Sequence, residues 1–271
     1  MAKTANKTAE VRTAKNINLN KVVVTGRLTA DTENVKLKDK NRYVVKGSIA
    51  VNRTYKGEEY VNFIDFEMFS DEPVNISKGQ KVYIEGRVVS DEWEKDGKFH
   101  SKTKIHAFSV VPTEISGNDM NIVMISGRLV KDPIVVVVKE NRSVVKFRLA
   151  VNRNYQQDGE WKQQTEFIEI SHFGTTEYIA KLAAHLAKGK FVYVTGSLLQ
   201  EKWTTENGEN RTKVSVVAEA INLSYVNNGK KASANTNTEK PEEKEMPEPE
   251  VEDIENEIAD IEELEDIETP F

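Results

Sequence analysis

Aromatic residues recur at matching places in two strand-like segments of this chain, on the strand face that a hydrophobic core does not need. Successive side chains of a strand point to opposite faces, so Phe63 and Phe69 share a face with carboxylates while Phe66 faces the other way. Phe167 and Phe173 repeat the arrangement in the second segment. One exposed ring is ordinary on a protein surface, but the repetition indicates a selected pattern, and exposed rings can stack on nucleobases.

Basic residues accompany these rings in the neighbouring strands and hairpins, which also carry Tyr55, Trp93, Tyr155 and Trp203. Rings that stack on bases, beside cations that follow the phosphates, are what binding to single-stranded nucleic acid requires. The carboxylates on the aromatic faces would repel a phosphate, so we expect the nucleic-acid backbone to run to one side of them. The candidate phosphate-contacting residues are Lys46, Arg53, Lys56, Lys95, Lys146, Arg148, Arg153, Lys162 and Lys202.

The sequence carries no recognisable catalytic or metal-binding pattern. The chain has no cysteine, which excludes disulfides, thiolate zinc sites and cysteine nucleophiles. Its histidines show no ligand spacing, and it has no phosphate-cradling motif. A metal-dependent nuclease is the alternative from another class, because carboxylates can hold Mg²⁺ at a scissile phosphate, but the dense carboxylates lie in the C-terminal tail. We expect a binding protein that is not an enzyme and uses no metal or cofactor.

The chain repeats itself once in the same order, from Asn20 to Val111 and from Met120 to Tyr225. The motif GRL occurs at 26–28 and 127–129, and AVNR at 50–53 and 150–153. A repeat of this length is a domain rather than a solenoid unit, so the 271 residues predict two similar domains, each with its own core. The predicted division is a flexible basic arm at 1–19, domains at 20–114 and 120–227 joined by a linker at 115–119, and a tail at 228–271.

Each copy contains five segments rich in β-branched and aromatic residues, separated by turn sequences. Five strands is the count of an OB-type barrel, so the predicted fold class is all-β, with two OB-fold barrels in tandem. Gly26 and Gly127 lie inside the first strands and fit the bulge or sharp coil that closes such a barrel. Helical spacing predicts a helix at 176–187 of the second barrel only. The predicted strands are 21–29, 43–52, 62–69, 81–89, 103–111, 121–130, 144–152, 166–173, 191–199 and 212–225.

Charge is divided unevenly along the chain. Residues 232–271 carry a net charge of −14 whereas the whole chain carries −6, so the rest has a net charge of +8. A basic body suits a polyanionic ligand, although the tail could serve solubility alone. The tail is predicted to be disordered because residues 230–252 are almost without apolar side chains. No apolar run reaches the roughly 18 residues of a membrane span, and we expect a cytoplasmic protein without a membrane partner, with residues 1–17 as a basic arm or a targeting sequence.

From residue 20 to residue 225 the chain resembles the bacterial-type single-stranded DNA-binding proteins, in particular the subgroup with two OB-folds per chain. The second copy carries the resemblance most clearly, in NIVMISGRLVKDP, FRLAVNRNY, QTEFIEISHFG, LAKGKFVYVTGSL and EKWTTENGENRTKVSV. The first copy departs further, with Ser70 in place of the usual Gly and without the helix. The positions at which the family stacks rings on DNA fall on Tyr55, Phe63, Phe69, Trp93, Tyr155, Phe167, Phe173 and Trp203.

The resemblance implies protection of single-stranded DNA during replication, recombination and repair, in association with the nucleoid. It also implies a homodimer that presents four OB-folds. The chain ends in an acidic tip that resembles the family's contact point for replication and repair proteins, with Thr269 where an aliphatic residue is common. The tip residues are Asp266, Ile267, Glu268, Pro270 and Phe271.

Two further interpretations stay open at the level of sequence. Every base has a π face, so an RNA-binding or chaperone-like OB-fold protein would use the same rings. A barrel that serves only for assembly is the other interpretation. If the acidic tail competes with DNA for the basic body, deletion of residues 232–271 should tighten DNA binding at low salt.

Overall fold

The computed structural model describes residues 18–38, 41–55, 58–95, 98–157, 159–204 and 210–224, and within them it contains twelve strands and one helix. The first copy holds β1 (Asn20–Leu28), β2 (Glu33–Lys36), β3 (Tyr43–Tyr55), β4 (Glu58–Ser70), β5 (Lys81–Lys95) and β6 (Lys98–Pro112). The second copy holds β7 (Asn121–Leu129), β8 (Ile134–Lys139), β9 (Arg142–Gln157), β10 (Glu160–Gly174), α1 (Thr176–Ala183), β11 (Phe191–Thr204) and β12 (Asn210–Leu223).

Each copy closes into a five-stranded barrel, which confirms the predicted pair of OB-type barrels. In the first copy the order is β3-β4-β6-β5-β1, and the end of β1 returns to β3 with Arg27 opposite Ala50. The second copy has the equivalent order β9-β10-β12-β11-β7, closed where Arg128 lies opposite Ala150. In both barrels one pair of strands is parallel, β4 with β6 and β10 with β12.

Glycine is required where backbone approaches backbone at the closure of each barrel. A Cβ at Gly26 would lie 2.7 Å from the carbonyl oxygen of Ala50, and one at Gly127 would lie 2.5 Å from that of Ala150. The close approach explains these glycines, but they are not bulges. The register shifts lie at Gly86 in β5 and Gly196 in β11, where the two strands bend across their partners.

The two barrels join through their first strands into one twelve-stranded sheet. Strand β1 pairs antiparallel with β7, and Val22 lies opposite Val123, which holds the same place in the second copy. Asn20, at one end of this seam, ties β1 to β5 because its side-chain amide exchanges hydrogen bonds with the backbone of Val88 at 2.8 and 2.9 Å. Asn121 does the same with Leu198 at 2.7 and 2.9 Å. The copies are therefore related by an approximate twofold axis through the seam.

The core is continuous across both barrels and consists mainly of branched aliphatic side chains. Helix α1 closes one end of the second barrel: the Thr175 side chain caps it by accepting from the Tyr178 amide, and Ile179 and Leu182 are buried. In the first barrel a non-helical segment places the buried Ile76 against the core instead. Within the described ranges, no helix is long and apolar enough to cross a membrane.

Two strands escaped the sequence prediction, and several others are longer than predicted. Strand β2 has only four residues without clear alternation, and β8 is an apolar run, Ile134–Val138, on the sheet edge. Two hairpins, β3 with β4 and β9 with β10, extend beyond the predicted strands and are called arms below. Strand β3 reaches Tyr55 and β9 reaches Gln157, because antiparallel pairing supplies backbone hydrogen bonds to residues whose side chains are polar. The turns predicted at 56–57 and 96–97 lie outside the described residues.

Candidate nucleic-acid interface

The predicted division of β4 into a core face and an aromatic face is confirmed. Ile64, Phe66 and Met68 are buried, whereas Phe63 and Phe69 are each 42% exposed. The same division holds in the neighbouring strands: Val45, Ile49 and Val51 of β3 are buried, as are Val145, Phe147, Leu149 and Val151 of β9. The alternation of the sequence thus determines which rings reach solvent on the first barrel.

The second barrel keeps only part of this face open. Phe167 is half-buried, and the guanidinium carbon of Arg148 lies 5.0 Å from its ring centroid, a distance at which a cation interacts with a ring. Phe173 is 5% exposed, so the prediction that its ring faces solvent is wrong for this structure. Val136 and Val138 of β8 pack against the cluster that contains Phe173, and this strand covers the face that β2 leaves open on the first barrel.

The carboxylates on the aromatic faces are neutralised by lysines from the adjacent parallel strand. Lys102 lies 2.6 Å from Asp65, Lys104 lies 2.8 Å from Glu67, and Lys213 lies 2.5 Å from Glu169. Burial would raise the pKa of Glu169, but Lys213 and Arg148 more than offset this and hold the pKa below its ordinary value. The repulsion of phosphates expected from the sequence is therefore reduced by pairs that form only after folding.

Cations lie around these faces in both barrels. Lys46, Arg153 and Lys162 are exposed, whereas Arg53, Lys146 and Arg148 are half-buried. Arg153 lies over the ring of Tyr155, with 5.3 Å between guanidinium carbon and ring centroid. The structure therefore places Arg148 and Arg153 on rings, so that each cation and its ring form one surface.

The remaining predicted residues lie on the hairpin arms. Trp93 of β5 is 43% exposed. Tyr55 lies in β3, Lys95 in β5, and Lys202 and Trp203 in β11, where the backbone of Trp203 lies opposite that of Arg211 in β12. Lys56 and the tip residues Asp266, Ile267, Glu268, Pro270 and Phe271 lie outside the described residues.

The exposed aromatic residues Phe108 and Trp161 are not among the site residues predicted from the sequence. Phe108 is 60% exposed and continues a row that runs from Phe69 to His106 at 5.4 Å and on to Phe108 at 6.2 Å between ring centroids. Alternation within β6 places Phe108 on the face of His106, opposite the buried Ile105 and Ala107, and the register shift at Gly86 leaves Phe108 opposite no residue of β5. Burial, assisted by Arg87, lowers the pKa of His106, which keeps this imidazole neutral near pH 7. Trp161 is 75% exposed on β10.

Each aromatic face is connected to the other barrel at an equivalent position, by hydrogen bonds in the first copy and by an ion pair in the second. The Asn62 side chain accepts from the Gln200 amide at 2.9 Å, and Gln200 accepts from the Phe63 amide at 3.3 Å. At the equivalent place Glu166 lies 3.9 Å from Arg87, and burial raises the pKa of Glu166. The backbone of Phe63 in β4 is thereby bonded to β11 of the other barrel.

Among the described residues, no group of three or more His, Asp and Glu side chains is placed to hold a metal ion. The geometry is that of a surface with rings, cations and paired carboxylates. Such a surface can stack planar groups and attract phosphates.

A family model described as the single-strand binding protein family matches residues 19–112 and again residues 120–224. This chain belongs to the single-strand binding protein family. The two matches coincide with the two barrels, so each barrel is one family unit.

Individual relatives in the family agree with this assignment. A single-stranded DNA-binding protein of Thermus aquaticus is 30% identical over 157 residues, which cover 53% of this chain and 58% of the relative, less than two thirds of its length. One of Aquifex aeolicus is 37% identical over 105 residues, covering 38% of this chain and 69% of the relative. The crystal structure of a deletion mutant of the Thermus aquaticus protein has a TM-score of 0.61 at 25% identity, covering 77% of this chain and 96% of that chain.

Proposed function

We propose that this member of the single-strand binding protein family binds single-stranded DNA without sequence preference, by stacking bases on the aromatic faces of both barrels. The observation that carries the proposal is the exposure of Phe63 and Phe69 on β4, with carboxylates that are paired to lysines. Exposed rings cost solvation that a stacked base would recover, at about 1–3 kcal/mol per base. The relatives from Thermus and Aquifex are named single-stranded DNA-binding proteins.

The cations supply the sequence-independent part of the affinity. Lys46 and Lys162 are exposed and lie in the strands that carry the rings. Each phosphate contact made by such a cation releases counterions, so the slope of log affinity against log salt changes by about 0.7 per contact on a single strand. Binding on this surface would therefore weaken steeply as salt increases.

The function follows from binding alone. Occupied strands are shielded from re-pairing and from nucleases during replication, recombination and repair, and no reaction is catalysed. We place the protein in the cytoplasm with the nucleoid, and we propose that the tip at 266–271 recruits replication and repair proteins. A pull-down with the full chain and with a chain that lacks Phe271 tests the tip; equal capture of partners by both would contradict its role.

We also propose that two chains associate through the outer face of the joined sheet. Ile122 of the seam strand β7 and Val111 of β6, which is separated from the seam by β5, are 47% and 49% exposed, and a patch of exposed apolar side chains is typical of an assembly surface. Sedimentation of the wild type and of Ile122→Lys tests the homodimer. A wild type that sediments as a monomer, or a variant that remains fully dimeric, would contradict this face.

The central test is a titration of intrinsic tryptophan fluorescence with oligo-dT at several salt concentrations, with duplex DNA and an RNA oligomer as competitors. Saturable quenching that survives duplex competition supports single-strand binding, and weak competition by RNA supports DNA as the ligand. Equal competition by RNA would favour the RNA-binding alternative, since stacking alone does not separate the two. Absence of binding would favour the interpretation in which the aromatic faces serve only protein assembly.

A further inference from the structure

Trp161 is the most exposed of the large hydrophobic residues in the described part of the chain, at 75%. It lies one residue inside β10, near the end of the arm formed by β9 and β10. Along this arm Arg153, Asn154 and Gln156 of β9 and residues 160–164 of β10 are exposed. The arm therefore projects from the barrel, and Trp161 has solvent around most of its ring.

The strand register places Trp161 on the same face of the arm as Phe167. Phe167 lies opposite Ala150 and Trp161 lies opposite Gln156, and alternate residues of a strand share a face. Six residues separate the two rings, which corresponds to about 20 Å along the strand. Side chains between them meet on this face, since the Thr165 hydroxyl donates to the Asn152 side chain at 2.8 Å.

Among the described residues of β9 and β10, those between the two rings on this face include no carboxylate. At one end of the row, Arg148 lies over the ring of Phe167. Glu160 precedes Trp161 and therefore points to the opposite face of the arm, where Lys162 lies opposite Tyr155. Uncharged amide and hydroxyl groups can donate to and accept from base edges and phosphates without repelling them. The residues between the rings on this face are Asn152, Asn154, Gln156, Gln163 and Thr165.

Within the described residues, the corresponding hairpin of the first barrel is shorter. Its strands β3 and β4 have 13 residues each, whereas β9 and β10 have 16 and 15. Beyond Phe63 on the equivalent face come Val61 and then Glu59, an exposed carboxylate. The second barrel thus ends its row with a ring where the first barrel ends its row with a negative charge.

We propose that Trp161 is a further base-stacking residue, which extends the DNA path of the second barrel from Phe167 along the β9–β10 arm. This inference rests on the proposed function and adds a contact outside the aromatic positions that the family resemblance supplies. Phe173 is buried at one end of the aromatic face of the second barrel, and Trp161 supplies an exposed ring at the other end. The path on the second barrel therefore runs outward along the arm, whereas on the first barrel it runs across the sheet past Phe69.

The chain has three tryptophans, so the full-length variant Trp93→Phe/Trp203→Phe retains Trp161 as its single tryptophan. Binding of a labelled oligo-dT is followed by anisotropy while the Trp161 emission is recorded in the same titration. We expect quenching of Trp161 in step with binding. In the wild-type background Trp161→Ala should weaken oligo-dT binding about 5- to 150-fold, the range that corresponds to one stacked base, and Trp161→Phe should retain most of the affinity.

Val137→Ala is the matched control, because Val137 is 62% exposed on the edge strand β8, away from the row; its affinity should equal that of the wild type. Anisotropy that reports binding while Trp161 stays unquenched, or unchanged affinity of Trp161→Ala, would overturn the inference and leave the proposed function standing. Emission that shifts with protein concentration in the absence of DNA would assign Trp161 to contact with a second copy. No binding of oligo-dT by the wild type would defeat the proposed function itself.

Discussion

Asp119 lies in the segment that connects the two copies, and we expect its substitution to lower the free energy of unfolding. Its side chain is only 3% exposed, and Lys81, 2.8 Å away, is only 11% exposed. The carboxylate also accepts from the Thr25 hydroxyl at 3.1 Å and from the backbone and side chain of Asn52 at 2.8 and 3.2 Å. The Asp119 side chain therefore connects the segment between the barrels to three strands of the first barrel, β1, β3 and β5.

The magnitude of the Asp119→Ala effect follows from what the substitution leaves behind. The Lys81 ammonium would stay buried without its counter-charge, a situation that costs about 3–5 kcal/mol. In the double variant Asp119→Ala/Lys81→Met the buried charge is gone, and stability should return in part: the three hydrogen bonds from Thr25 and Asn52 to the carboxylate stay lost, at about 1 kcal/mol each. Glu114→Ala removes an exposed carboxylate of the same segment and should change stability by less than about 0.5 kcal/mol.

Urea unfolding, followed by both circular dichroism and tryptophan fluorescence, measures these differences. Coincident transitions from the two probes would show that the joined barrels unfold as one unit. A loss of less than about 1 kcal/mol for Asp119→Ala would refute the reasoning, since a buried ammonium cannot lose its partner at so small a cost. A double variant no more stable than Asp119→Ala would also refute it, by showing that the ion pair is not what fastens the segment.

Three other outcomes are expected. Phe69→Ala should weaken oligo-dT binding with little change in stability, whereas Phe173→Ala should cost about 3–5 kcal/mol of stability as a core substitution; equal stability losses in urea would contradict the different burial of the two rings. Burial lowers the pKa of His172, so its contribution to stability is complete above its unfolded pKa of about 6.5 and is lost as pH falls through the folded pKa, at up to about 1.4 kcal/mol per pH unit. Urea midpoints between pH 8 and pH 5 should therefore fall less for His172→Gln than for the wild type, and parallel profiles would exclude His172 as the source. Deletion of residues 232–271, which removes a net charge of −14, should tighten oligo-dT binding at low salt and make little difference at high salt; unchanged affinity at low salt would show that the tail does not compete for the basic body.

The aromatic face of the first barrel was predictable because it depends on alternation within one strand. Phe63 and Phe69 are separated from the core residues of β4 by parity alone, and the structure places them as predicted. Phe173 has the same parity as Phe69, but its exposure depends on β8, a strand about forty residues earlier in the chain that pairs with β9 and covers it. No count within β10 contains that information.

The electrostatics of the site required long-range contacts for the same reason. Glu169 and Lys213 belong to strands that become neighbours only through the parallel pairing of β10 with β12. Phe108 shares a face of β6 with His106, but its place in a row with Phe69 depends on the parallel pairing of β4 with β6. The sequence shows Trp161 as an aromatic residue within a polar segment, but its ability to stack on a base depends on how far the β9–β10 arm extends from the barrel.

The sequence by itself determined the duplication, the all-β class, the helix of the second barrel and the faces of the central strands, because each follows from spacing between residues close together in the chain. The tertiary structure decided which predicted rings reach solvent, which carboxylates are neutralised, and how Asp119 and the β1–β7 seam join the barrels into one sheet. These properties arise from contacts between residues far apart in sequence. Burial and charge pairing depend on the neighbours that a side chain acquires on folding, and local periodicity does not specify those neighbours.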